Sequence, residues 1–248
     1  NIFTSLNHEL DNGVEWFSEL AYYMADSNLN RHPAYTPSTN AELYVGAQNY
    51  YNPFGPGGSP NRLPDEIIGE DFPCEGKDLR IDNYRFAQVP RIINVENETF
   101  RFLTGLRGTA GAWDWDTAIV YSKATRTDIT QNRVSNSLMQ EALNDPTPAA
   151  YNPFCGGILP CNLDRALVDV YRKNETDLIM WDFKFSRPDL FNMPAGPVGF
   201  LGGIEYREES FDDDRDPRLD GTITFTNPNG TTFPFVSDVV NSSPSPDS

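Results

Sequence analysis

The chain has 248 residues, 38% of them hydrophobic and 12% aromatic. Nineteen Lys and Arg against 36 Asp and Glu leave a net charge of −17, which removes the basic stripe that a nucleic-acid partner requires. No run approaches 18 apolar residues, so no membrane-spanning helix is expected.

Taken in chain order, residues 2–10 read as the hairpin partner of residues 14–24, with Asp11-Asn12-Gly13 as the turn between them. Residues 25–94 are rich in Pro, Gly and Asn and hold no sustained period. A second strand pair covers 95–109 and 113–127 across Ala110-Gly111-Ala112. A further irregular stretch runs to Asn174, with helical pieces expected at 135–143 and 163–172. The third pair, 175–187 and 198–209, is joined through Asn192-Met193-Pro194-Ala195-Gly196-Pro197, and a polar tail follows. The order is strand, short turn, strand, long loop, three times over. Such long loops are uncommon in compact domains, but outer-membrane β-barrels place short turns on one rim and long loops on the other.

Period two assigns the faces. Trp113, Trp115, Thr117, Ile119 and Tyr121 alternate with Asp114, Asp116, Ala118, Val120 and Ser122. Phe100, Phe102, Thr104 and Leu106 form one face of the partner strand, with Arg101 and Arg107 on the other. In the third pair Ile179, Trp181, Phe183 and Phe185 oppose Asp182 and Lys184, while Val198, Phe200, Ile204 and Tyr206 oppose Glu205 and Arg207. One apolar and one charged face fits a soluble sheet or a membrane barrel. Trp16, Trp113 and Trp115 lie near short turns, and Tyr121 and Tyr206 lie further along. Trp113 to Tyr121 is about 26 Å of strand at roughly 3.3 Å per residue, or some 20 Å of height when tilted by about 40°. That is near the apolar band of a barrel.

The run from Asp189 to Ser210, which contains Pro194-Ala195-Gly196-Pro197-Val198 and Gly203-Ile204-Glu205-Tyr206-Arg207-Glu208-Glu209-Ser210, closely resembles a hairpin of TonB-dependent outer-membrane receptors. Tyr51-Asn52-Pro53-Phe54 and Tyr151-Asn152-Pro153-Phe154 are similar to loop segments of large members of that family. The turn-plus-strand units at 111–122 and 15–23 resemble it too. The resemblance implies an all-β fold of antiparallel up-and-down strands, part of a transmembrane barrel with long extracellular loops. Its implied setting is the outer membrane of a Gram-negative cell. The implied function is TonB-energised uptake of a scarce nutrient: a ferric siderophore, a cobalamin-like molecule or an oligosaccharide. Implied partners are outer-membrane lipid, the TonB complex through a plug region, and a small nutrient ligand, with no enzymatic step. The family closes about 22 strands around a plug. This chain offers six strands and no plug, so residues 1–248 read as an internal piece of such a barrel. The rival reading is a soluble secreted β-rich carbohydrate-binding or hydrolytic protein.

No catalytic constellation and no cofactor motif is found. His8 and His32 have no Ser, Asp or Cys partner nearby in sequence, and the three cysteines lack zinc-site spacing. Cys155 and Cys161 bracket a Gly/Pro loop that fits a small disulfide ring, the alternative being two loop thiols; Cys74 has no evident partner. Residues 212–221 concentrate carboxylates and fit either a calcium loop without EF-hand spacing or a solvated acidic loop neutralised by Arg215 and Arg218. Asn97, Asn174, Asn229 and Asn241 begin N-x-S/T triplets, which occur often by chance. In a barrel, Arg101, Arg107, Asp114, Asp116, Asp182, Lys184, Glu205 and Arg207 would face the lumen, mostly as charge pairs. Ligand capture would fall to loop aromatics: Tyr35, Tyr44, Tyr50, Tyr51, Phe54, Tyr151 and Phe154.

Overall fold

The computed structural model describes residues 1–36, 41–156, 159–226 and 232–248; Asn229 and the ring residues Gly157 and Ile158 lie outside them. In chain order the elements are β1 (Ile2–Glu9), β2 (Glu15–Arg31), β3 (Tyr35–Thr36), β4 (Leu43–Val45), α1 (Asp65–Ile68), β5 (Leu79–Ile81), β6 (Tyr84–Arg85), β7 (Arg91–Ala110), β8 (Trp113–Val134), α2 (Asn136–Leu143), a 3-10 turn (Leu163–Ala166), β9 (Leu167–Met193), β10 (Gly196–Arg215), α3 (Pro217–Asp220), β11 (Thr224–Thr226) and β12 (Thr232–Ser237). The fold is all-β. Its centre is a six-stranded antiparallel sheet in the order β1-β2-β7-β8-β9-β10, an up-and-down meander of the six strands expected from the sequence.

All three tight connections fall at one end of this sheet. Gly13 (φ +76°) closes the first by donating its N–H to the Leu10 carbonyl at 2.9 Å. Gly111 (φ +67°) sits in a two-residue turn between the paired Ala110 and Trp113, a backbone region that side-chain-bearing residues avoid. Pro194 and Ala195 form the third, between the paired Met193 and Gly196. Near it the β9–β10 register shifts between Val198 and Phe200, opposite Pro188, whose missing N–H suits a bulge. A second shift lies between Thr130 and Arg133, where Asn132 takes φ +58°.

Two expectations are corrected. Residues 163–172 are not a helix: after the single turn Leu163–Ala166, the segment Leu167, Val168, Val170 and Tyr171 enters β9 and pairs with β8. The strands also run further than the apolar alternation does. β2 continues to Arg31 and β7 begins at Arg91, because their hydrogen-bond ladder persists where the apolar alternation is lost, as at the cross-strand pair Asn28 and Asn94. The helix expected at 135–143 is present as α2, capped by the Ser135 hydroxyl, which accepts the Leu138 N–H at 3.2 Å.

The connections at the other end fold into a layer with its own core. Leu43, Val45, Phe86, Val134, Met139, Leu143, Tyr151, Phe225 and Val240 are buried together there. The Gln140 amide ties α2 to β4 like an extra strand: its Oε1 accepts the Tyr44 N–H at 2.9 Å and its Nε2 donates to the Tyr44 carbonyl at 2.8 Å. Asp238, fully buried, accepts from the Ser137 N–H at 2.8 Å and from the Ser135 hydroxyl at 2.6 Å, and is paired with Arg218. Those bonds pin the last connection to the second.

Candidate functional site

The register settles which side chains share a face. Trp16, Leu106, Thr117, Phe183 and Ile204 form one cross-strand row, and Tyr22, Phe100, Tyr121, Ile179 and Tyr206 belong to the same face nearer the loops. On this face Ile204 is 60% exposed, Tyr206 57%, Ile119 46% and Trp181 40%, so a contiguous apolar band lies uncovered. Of the four indole N–H groups on this face, those of Trp16 and Trp181 find acceptors within the sheet. Trp16 donates to the Thr104 hydroxyl at 2.8 Å, which donates in turn to the Phe17 carbonyl at 3.3 Å. Trp181 donates to the Thr117 hydroxyl at 3.0 Å, which donates to the Asp182 carbonyl at 2.7 Å. Ser18 likewise donates to the Leu103 carbonyl at 3.0 Å.

The band stops abruptly. Tyr121 and Tyr206 donate their hydroxyls to Asp177 and Glu208, each at 3.1 Å, and Lys123, Glu175 and Glu98 lie on the same face beyond them. The tyrosine rings thus sit on apolar neighbours with their polar tips turned toward charge.

The opposite face is polar. Every member of the set expected to face a lumen lies on it: Arg101, Arg107, Asp114, Asp116, Asp182, Lys184, Glu205 and Arg207. Several are held in ion pairs, as expected. Arg107 grips Glu15 with two bonds of 2.9 and 2.6 Å, Arg101 meets Glu19 at 3.2 Å, Lys184 meets Asp182 at 3.3 Å, and Arg207 meets Glu209 at 3.0 Å. The glutamates Glu15 and Glu19 that complete two of these pairs escaped the sequence reading, since only the β2–β7 register sets Glu15 opposite Arg107 and Glu19 on the diagonal from Arg101. Near the short turns a cleft of about 380 Å³ is lined by Glu15, Arg107, Asp114, Asp116 and Lys184.

The loop aromatics divide by role. Tyr151 is fully buried, its hydroxyl 2.9 Å from that of Tyr84, and burial, then Tyr84, pushes its phenol far up. Tyr51 donates to the Pro148 carbonyl at 2.8 Å, joining the first connection to the second. In both Asn-Pro-Phe segments the asparagine side chain accepts the phenylalanine N–H, at 2.8 Å in Asn52 and 3.0 Å in Asn152. These are Asx turns, and they explain the recurrence of the motif structurally. Tyr35, Tyr44, Tyr50 and Phe54 are half-buried. Phe154 is 53% exposed, beside the cystine. Cys155 and Cys161 are bridged, with Cα atoms 5.3 Å apart, and Cys74 is free and exposed.

In the acidic stretch Asp213 faces arginines. It accepts two bonds of 2.8 Å from Arg172 and two of 3.1 and 2.6 Å from Arg215, which hold its carboxyl well below the usual range. Asp216 caps α3 through the Arg218 N–H at 2.9 Å. Among the described residues no three His, Cys, Asp or Glu converge as metal ligands. His8 pairs across strands with Trp16, and His32 lies against Arg91.

Comparison with family models, with curated proteins and with solved structures finds no match to this chain. Its functional reading therefore rests on the two faces of the sheet and the layer at one end.

Proposed function

We propose that the chain is part of the β-barrel of a TonB-dependent outer-membrane receptor that takes up a scarce small nutrient, with no enzymatic step of its own. The observation that carries this reading is the apolar band. The indoles of Trp16 and Trp181 and the hydroxyls of Thr104, Thr117 and Ser18 find acceptors inside the sheet, as hydrocarbon demands and water does not. Tryptophans near the short turns and tyrosines at the far border match the girdles of such barrels. The polar face then lines the passage, and the cored layer stands outside the cell, where a nutrient is captured.

The edges bear on the same point. β1 and β10 each carry one unpaired edge of the sheet. In hydrocarbon those amides need partners, so further strands must close the sheet on both sides. A soluble sandwich would instead need a second sheet over Trp181 and Ile204, and the remaining two-stranded sheets lie within the connections. The test is fractionation of the source cells. Recovery in the detergent-extracted outer membrane, with heat-modifiable migration, supports the receptor; recovery as a soluble secreted protein overturns it.

A further inference from the structure

In a chain with 36 acidic residues, four arginines at the loop end of the sheet stand without one. Arg31 and Arg91 are direct cross-strand partners on β2 and β7, an arrangement in which like charges repel. Arg133 lies on the next strand, one residue past the Asn132 shift, and alternation sets all three on the polar face. Arg85, on β6, extends from the first connection, its guanidinium 5.3 Å from the centre of the Tyr35 ring. Among the described residues none of the four forms an ion pair. Residues 37–40, 157–158 and 227–231 contain no Asp or Glu that might supply one.

The backbone positions these side chains without neutralising them. Arg91 donates to the His32 carbonyl at 3.1 Å, Arg85 to the Pro33 carbonyl at 3.1 Å, and Arg133 to the Val240 carbonyl at 3.2 Å. The Arg133 Nε is buried with no acceptor. Burial first, and then Arg31 and Arg85, hold the Arg91 guanidinium below its usual value; burial and Arg91 push Arg133 down to about 10. Guanidinium forks left with spare donors, two of them (Arg91 and Arg133) partly buried and two (Arg31 and Arg85) exposed, match the geometry and charge of carboxylate and phosphate groups.

We propose that Arg31, Arg85, Arg91 and Arg133 form a binding site for a small-molecule oxyanion carrying two or more anionic groups, a polycarboxylate or a phosphate ester. Arg31, Arg91 and Arg133 lie on the face away from the apolar band, which separates them from membrane phosphates. It stands on the arginine geometry, and only the identification of the oxyanion as transported cargo rests on the receptor reading.

The experiment is calorimetric titration of the full-length protein in detergent with citrate and with inorganic pyrophosphate, maltotriose serving as the neutral control. At least one anion should bind and maltotriose should not compete with it. Arg91→Gln should weaken that binding about tenfold or more, the loss of one charge-assisted contact. Added salt should weaken it as well. Arg187→Gln, at the short-turn end, should leave it unchanged. Without ligand, Arg91→Gln should melt at a higher temperature than the parent, because one repelling charge is gone. If Arg91→Gln fails to fold, Arg91→Lys tests the same site by keeping the charge and losing the fork. Absence of binding by both anions, or equal binding by the parent and the Arg91 variant, overturns the proposal. A soluble protein that still binds citrate through Arg91 keeps the site and loses only the transport reading.

Discussion

The layer at the loop end and the sheet beneath it solve opposite packing problems with the same residue types. In the layer Leu43, Phe86, Met139 and Tyr151 are turned inward and the polar surface is outside. In the sheet Trp181, Ile204 and Tyr206 are turned outward, while Asp182 and Asp213 are buried on the polar face beside Val120 and Val170. Apolar side chains leave whichever medium is water. A layer with a buried apolar centre and a sheet with an uncovered apolar face are what two different surroundings along one chain would produce, the outer one being lipid on the receptor proposal. The mean composition hides this difference: alternation halves the apolar content of each strand, and the long connections dilute it further.

The largest effect should come from breaking the inward-packed region. Phe86 is 1% exposed and packs its ring on Tyr84 and Tyr151 at centroid distances of 5.2 and 5.8 Å. Phe86→Ala should cost about 3–5 kcal/mol of local stability, the usual loss for a buried aromatic. Hydrogen exchange should register it across the connections and leave the β7–β8 ladder protected. Equal loss of protection in both regions would mean that they fold as one unit.

The sheet should show the reverse sensitivity. Ile119→Arg places a charge in the apolar band and should cost about 2–4 kcal/mol in lipid vesicles if it lies near mid-depth, whereas Thr125→Arg, on the same face beyond Tyr121, should cost about 0–1 kcal/mol. Urea unfolding of the full-length protein from vesicles measures both. Indifference to depth would remove the membrane from the comparison.

Most of the sheet was legible in the sequence because one of its faces is apolar. Wherever Trp, Phe and Ile alternate with charge, the faces read from period two agree with the register, from Phe100 to Leu106 and from Ile179 to Phe185. Past Tyr121 and Tyr206 the alternation of apolar and charged residues fades, so the outer ends of β2, β8 and β10 were not visible. At Leu167–Tyr171 an apolar run after a buried Leu163 has no period that separates helix from strand, and only pairing with β8 decides it. The arginine cluster was illegible for a related reason. Arg31 and Arg91 are far apart in sequence, and nothing but the β2–β7 register brings them face to face. The Asn-Pro-Phe segments were legible as motifs but not as Asx turns, a role that becomes apparent with the hydrogen bonds.

A smaller perturbation sharpens the boundary of the layer. The Cys155–Cys161 bridge closes a short ring, with a sequence separation of 6. A chain-entropy argument gives such a ring about 2 kcal/mol. Replacing both cysteines by serine should lower the melting temperature of the connections and leave strand protection in β7 and β8 unchanged. No shift would mean that the turn at Asn152, with its own hydrogen bonds, already fixes the loop.

The smallest expected effect is a proton-linked one, also confined to the layer. Asp145 accepts from the Thr147 hydroxyl at 2.6 Å, from Arg165 at 2.5 Å and from the Thr147 N–H at 2.8 Å, and these hold its carboxyl at about 2 instead of the usual 3.8. A carboxyl whose folded pKa is depressed contributes stability that is complete above the unfolded value and is lost as pH falls through the folded one. The contribution of Asp145 should therefore fade between about pH 4 and pH 2. Arg165 also donates to the Ala149 carbonyl at 3.0 Å, so protonation loosens the segment that carries Tyr151 and leaves the sheet ladder intact. Asp145→Asn should flatten that part of the acid dependence and lower stability at neutral pH. An unchanged pH profile in Asp145→Asn would assign the acid sensitivity to other carboxylates, with Asp213 and its two arginines the next to test.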